Sequence, residues 1–105
     1  MDVYIKTNST LARLAARMLK TSRMAVTVHR TIYLHNCSKE EFLQNKNWVC
    51  HELVHVWQYK QLGTFAFVAA YLFQCLTKGY NNNKFEKEAR KKETDHRMME
   101  GVGFI

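Results

Sequence analysis

The chain has 105 residues, 47% of them hydrophobic, and carries sixteen Lys or Arg against nine Asp or Glu, for a net charge of +7. That length accommodates one domain and excludes two, and the thin apolar core of so small a domain gains from a metal clamp. Three cysteines (Cys37, Cys50 and Cys75) without CxxC spacing argue against a disulfide framework and a cysteine zinc knuckle, while the absence of Pro and the presence of only four Gly predict long elements with few tight turns.

In chain order, Asp2, Lys6, Arg13 and Arg17 interrupt any apolar run in the first twenty residues, so no signal peptide is visible and a cytoplasmic location is expected. Leu11, Leu14, Ala15, Met18 and Leu19 recur at helical spacing and predict an amphipathic helix over 10–20, with Ser9 or Thr10 as its cap. Val26 and Val28 alternate with Thr27, and Ile32 and Leu34 with Tyr33, which predicts two short strands within 25–35 joined near His29-Arg30. Ser38-Lys39-Glu40-Glu41 is a capping-box pattern and predicts a short helix ending near Asn45. A longer helix is expected over 47–61, stopped by Gly63. Thr64 is read as the cap of the next helix, which runs to Lys78 and ends at Gly79. Its apolar stretch, Thr64 to Leu76, covers thirteen residues. A membrane span needs about 20, so a buried helix and no membrane span are expected. Asn81, Asn82 and Asn83 form a polar loop before a last helix over 85–99.

Chemistry concentrates at His51-Glu52-Leu53-Val54-His55. Residues four apart share a helix face, so two imidazoles are directed at one point, where zinc accepts ring nitrogens at about 2.0–2.1 Å. Glu52 points beside the ion and suits a base holding a water, while Leu53 and Val54 suit the packed side. Cys50 lies about 100° round the helix from His51 and is not expected to share the metal. A catalytic zinc also needs a third protein ligand and an open position. Glu86, Glu88, Glu93, Asp95 and His96 are the downstream candidates. Glu86 stands at the start of the last helix, after a loop able to turn the chain back, and Ala89 permits close approach of two backbones. Lys84, Lys87, Arg90, Lys91 and Lys92 form the strongest basic cluster. Three glutamates, Glu86, Glu88 and Glu93, interleave with these five cations, leaving a local charge of only +2. A solvated helix face is expected there, with no nucleic-acid partner.

His-Glu-x-x-His followed by Glu86-Lys87-Glu88-Ala89 resembles the gluzincin metallopeptidases. The stretch from 51 to 90 is similar to a group of small bacterial zinc peptidases, through His51 to His55, Gln58, Leu62-Gly63, Gly79-Tyr80 and Asn83 to Ala89. The resemblance implies one minimal zincin-like α+β domain over 1–105, mostly helical with a small antiparallel sheet. It implies one zinc ion held by His51, His55 and Glu86, with Glu88 as the rival third ligand. It also implies hydrolysis of a peptide or protein substrate by a zinc-activated water, with Glu52 as general base. An extended peptide would add to a sheet edge, for which the strand Thr31–His35 is the candidate. Tyr71, Tyr80 and His96 are candidates for a second oxyanion donor. Two positions depart from the pattern: Lys84 stands where proline usually sets the helix entry, and Arg90 where an aspartate usually orients a ligand histidine. Gln58 is the candidate replacement for that aspartate. The alternative is a non-catalytic zinc-binding structural or interaction domain. Its small size also allows for a homodimer or a partner that completes the cleft.

Overall fold

A computed structural model describes residues 1–105 as an α+β chain in this order: β1 (Asp2–Lys6), α1 (Thr10–Leu19), β2 (Met24–Val28), β3 (Thr31–His35), α2 (Lys39–Gln44), α3 (Lys46–Leu62), α4 (Thr64–Lys78), α5 (Lys84–Lys92), a 3-10 turn (His96–Met99) and β4 (Gly103–Phe104). The expected hairpin forms in the register Met24↔His35 to Val28↔Thr31, closed by the two residues His29 and Arg30. His29 takes a left-handed φ of 57°, which suits a two-residue turn between twisted strands.

The small sheet is mixed, with the order β2-β3-β1-β4. Only β2 and β3 are antiparallel; β1 runs parallel to both β3 and β4. Thr31–His35 is therefore an inner strand, and the expectation that it offers a free edge is overturned. The free edge of the hairpin is β2. Strand β1 follows the alternation Asp2-Val3-Tyr4-Ile5-Lys6, and Val3 is fully buried. Val3, Ile32 and Leu34 of the sheet pack against Phe42 of α2 and Val49 and Leu53 of α3.

Helix ends follow local chemistry. Ser9 accepts from the Ala12 amide, and the capping box at Ser38 and Glu41 is complete in both directions. The amide of Gly63 closes α3 on Tyr59, as its position predicts. Gly63, rather than Thr64, is the cap residue of α4, and it offers no side chain. The last helix is shorter than 85–99: α5 ends at Lys92 and the chain re-enters a 3-10 turn at His96.

Two helices depart from their expected burial. α1 contacts the sheet through Ala12 and Ala16, leaving Leu11, Leu14, Met18 and Leu19 exposed. In α4 only Phe67 is buried, joining Tyr59 and Phe85 in a second small cluster. The expectation of a buried helix at 64–76 is thus corrected: Phe65, Leu72, Phe73 and Leu76 face outward. No helix is long and apolar enough to cross a membrane.

Candidate metal centre

α3 is buried on most of its circumference, including Val49, Cys50, Leu53, Val54 and Val56. One turn apart on it, the His51 and His55 rings lie 5.2 Å between centroids at 75° to each other. Beyond Gly63 the chain passes along α4, turns at 79–83 and returns as α5 beside α3. Asn83 pins that return. Fully buried, it accepts from the Phe85 amide at 2.9 Å and donates to the Tyr71 carbonyl at 3.1 Å. Lys84, where the resemblance implies a proline, donates its backbone N–H to Gln74 Oε1 at 3.2 Å, a bond proline cannot make. Ala89, also fully buried, lets α5 approach α3 closely.

Glu86 consequently points inward from the first turn of α5. Its Oε1 lies 2.9 Å from His51 Nε2 and 3.2 Å from His55 Nε2, and its Oε2 accepts from the Tyr71 hydroxyl. Burial alone would raise its pKa. The hydrogen bonds from His51, His55 and Tyr71 outweigh burial and hold the carboxyl well below the usual carboxylate range. For His55, burial disfavours the charged ring. The bond to Glu86 and the charges of Glu52 and Glu86 win, and its pKa rises to about 9.

The donor set fits zinc. Two Nε2 atoms and one carboxylate oxygen converge, and neighbouring ligands on a tetrahedral zinc stand roughly 3.4 Å apart by geometry from their bond lengths. Pairs now 2.9 and 3.2 Å apart need only a few tenths of an ångström to open around an ion. The metal-binding atoms of His51, Glu52 and His55 also lie within 4.8 Å of one another, close enough to hold a metal ion. The two acids differ in their partners: Glu86 Oε1 faces both imidazoles, whereas Glu52 Oε1 accepts from Thr27 Oγ1 at 2.8 Å. Burial pushes the Glu52 carboxyl above its ordinary pKa, against the opposing pull of both histidines and the Thr27 hydroxyl.

Gln58 occupies the supporting position. Its Oε1 accepts from His55 Nδ1 at 2.8 Å, while its Nε2 donates to the Phe85 carbonyl at 3.1 Å and to Glu88 Oε1 at 2.8 Å. Both amide protons have acceptors, so the oxygen must face the ring. That leaves the His55 Nε2 lone pair for a metal. Glu88 is thereby placed behind Gln58 and away from the convergence point. His51 Nδ1 lies 3.9 Å from Glu93 Oε1, one turn beyond Arg90. Arg90 itself is exposed and donates to the Asn81 carbonyl. Asp95 pairs with Arg97, and His96 bonds Asn47, so neither joins the centre. Cys50 turns away toward the Asp95 carbonyl.

A cleft of about 320 Å³ opens beside Glu52, His55 and Glu86, walled by β2, by Leu11 of α1 and by Val68, Tyr71 and Leu72 of α4. Tyr80 also lines it, with a phenol raised in pKa by burial first and then by the charges of Glu86 and Glu52. Tyr59 and Tyr71 line the same cleft, and the Tyr71 hydroxyl is committed to Glu86. Sequence reasoning missed the role of Thr27. Its inward position was readable from the alternation of β2, but its partner, 25 residues on, was not.

A family model described as the eCIS core domain matches residues 1–63. The matched stretch runs from β1 to the Gly63 cap and includes Thr27, His51, Glu52 and His55, whereas Glu86 lies beyond it. No curated protein and no solved structure matches the chain.

Proposed function

We propose that this chain, which belongs to the eCIS core domain family, is a zinc metallopeptidase of gluzincin type on a minimal zincin-like fold. His51, His55 and Glu86 are its metal ligands and Glu52 its general base. One observation carries the reading: a buried carboxylate oxygen from α5 lies within 3.2 Å of the Nε2 atoms of both histidines of α3.

When bound there, zinc supplies Lewis acidity, which acidifies a water toward a pKa of about 7 and polarises a carbonyl. Glu52 has one oxygen held by Thr27 and the other available to accept the water's proton and pass it to the leaving amine. The raised pKa of Glu52 favours that uptake of a proton. The Tyr80 side chain lines the same cleft, and its hydroxyl is the proposed donor to the developing oxyanion. The free edge of β2 offers backbone groups to an extended peptide, which is the substrate class proposed.

A domain using zinc only for folding has no need of a buried carboxylate facing a cleft, and Glu52 favours the enzyme over that second reading. Two variants decide between them. Purified protein is expected to hold one zinc per chain, lost in Glu86→Ala; equal zinc in both would remove Glu86 from the site. Glu52→Gln is expected to keep its zinc while peptide hydrolysis falls by about 10²–10⁴-fold. Retained hydrolysis would remove Glu52 as the base; none in the parent protein with zinc bound would leave a structural zinc domain.

A further inference from the structure

We propose that α1 and α4 together form a docking face for an anionic lipid surface, seated around the mouth of the cleft. This does not depend on catalysis. The two helices face each other across the opening: Leu11 of α1 and Val68 and Leu72 of α4 line it together, and Leu19 and Lys78 line a second, neighbouring depression. Each carries an unpartnered apolar stripe. On α4, Phe65, Leu72 and Leu76 fall within about 40° of one another around the helix, and on α1, Leu11, Leu14 and Met18 within about 60°.

These side chains protrude. Phe65 is 92% exposed, Leu76 87%, Met18 75% and Phe73 63%. A folded partner must supply a matching pocket for each knob, whereas acyl chains conform to any convex apolar shape. Scattered apolar side chains are ordinary on a surface, but two facing stripes at helical spacing are not.

Charge selects the kind of surface. Neither α1 nor α4 contains an acidic residue, and the longer stretches 3–39 and 53–85 contain none either. Those stretches hold seven and three cations respectively, ten of the sixteen in the chain, Lys20 and Lys78 at the helix ends among them. Apolar stripes flanked by cations without opposing acids are the composition of helices that lie in an anionic interface. Docked this way, the cleft would open toward the bilayer surface.

The test is sedimentation of the full chain with vesicles of phosphatidylcholine alone and of phosphatidylcholine mixed with phosphatidylglycerol. The expected result is binding to the mixed vesicles only, weakened by salt, and reduced by about tenfold or more in the double variant Phe65→Ser/Leu76→Ser. Both positions are solvent-facing, so the variant should keep the parent's circular dichroism. The variant Met18→Ser/Leu14→Ser provides a second probe on the other helix. Absence of binding to mixed vesicles overturns the proposal, as does binding that no substitution weakens, which would report diffuse charge alone. A parent dimer dissolved by the same substitutions would assign the face to a second copy. Binding of an acidic leucine-rich peptide without any vesicle binding would assign it to a protein.

Discussion

The Glu86 carboxylate pairs with the buried His55 ring. His55 can donate from both ring nitrogens, to Gln58 and to Glu86, only when it is protonated. Its folded pKa of about 9 lies above the ordinary histidine value near 6.5. The stability it contributes is therefore complete below about pH 6.5 and is lost as pH rises through about 9. The depressed Glu86 carboxyl acts at the other end, contributing above the ordinary carboxylate range and losing its effect on acidification below it. Zinc must displace the His55 proton. Its apparent affinity should rise with pH up to about 9, with release of about one proton per ion near neutrality. Calorimetric titration in buffers of differing ionisation enthalpy reads that proton directly, and zero release would contradict the assignment. Thr27 makes a second residue-scale prediction. Thr27→Val removes the side-chain hydroxyl that donates to a buried carboxylate and should cost about 1–3 kcal/mol in urea denaturation, while Thr27→Ser recovers most of it.

Among the elements, α4 is bounded by glycines of nearly one conformation: Gly63 at φ 84°, ψ 155° and Gly79 at φ 80°, ψ 165°. That region of backbone space is essentially closed to other residues. A Cβ on Gly63 would meet nothing within 4 Å, so the cost of Gly63→Ala is purely conformational. It should be about 1–3 kcal/mol by equilibrium unfolding, and an unchanged midpoint would show that the helix junction can rearrange. Element ends of this kind were legible from the sequence: Ser9, Ser38, Gly63 and Gly79 act through neighbours a few residues away. Burial was not. Helical spacing identified leucines on α1 and an apolar run marked α4, but neither pattern says what a face meets. In α1 the small residues Ala12 and Ala16 won the sheet because they allow closer approach. Strand β4, two residues long, is too short to carry a period at all.

Over the whole molecule, the candidate site joins two unequal cores. The sheet and α2 pack on one flank of α3, while Tyr59, Phe67 and Phe85 form a cluster of three on the other. An ion shared by α3 and α5, as proposed, would strengthen the weaker side. Saturating zinc, at about a hundred times its Kd, should add about 2.7 kcal/mol and raise Tm by roughly 10–20 °C. On chelation, amide exchange should quicken first in α4 and α5 while Ile32 and Leu34 keep their protection. Uniform loosening would mean that the metal serves the entire fold. The same asymmetry explains what could be read of the site. His51 and His55 are four residues apart on one helix, so their convergence is local. Glu86 is 31 residues beyond His55 and depends on a three-helix return, which the resemblance supplied. Thr27, across a sheet-to-helix interface, had no such guide.

The hairpin turn at His29-Arg30 also has a chemical consequence. Side chains on β2 alternate between faces, and the residues on either side of Thr27 are Val26 and Val28. A one-residue slip of that strand would turn a methyl group, not a hydroxyl, toward Glu52, leaving a buried carboxyl without its hydroxyl donor. Lengthening or shortening a solvent-facing loop by one amino acid, far from the imidazoles, would thus disarm the proposed proton acceptor without touching the proposed ligands.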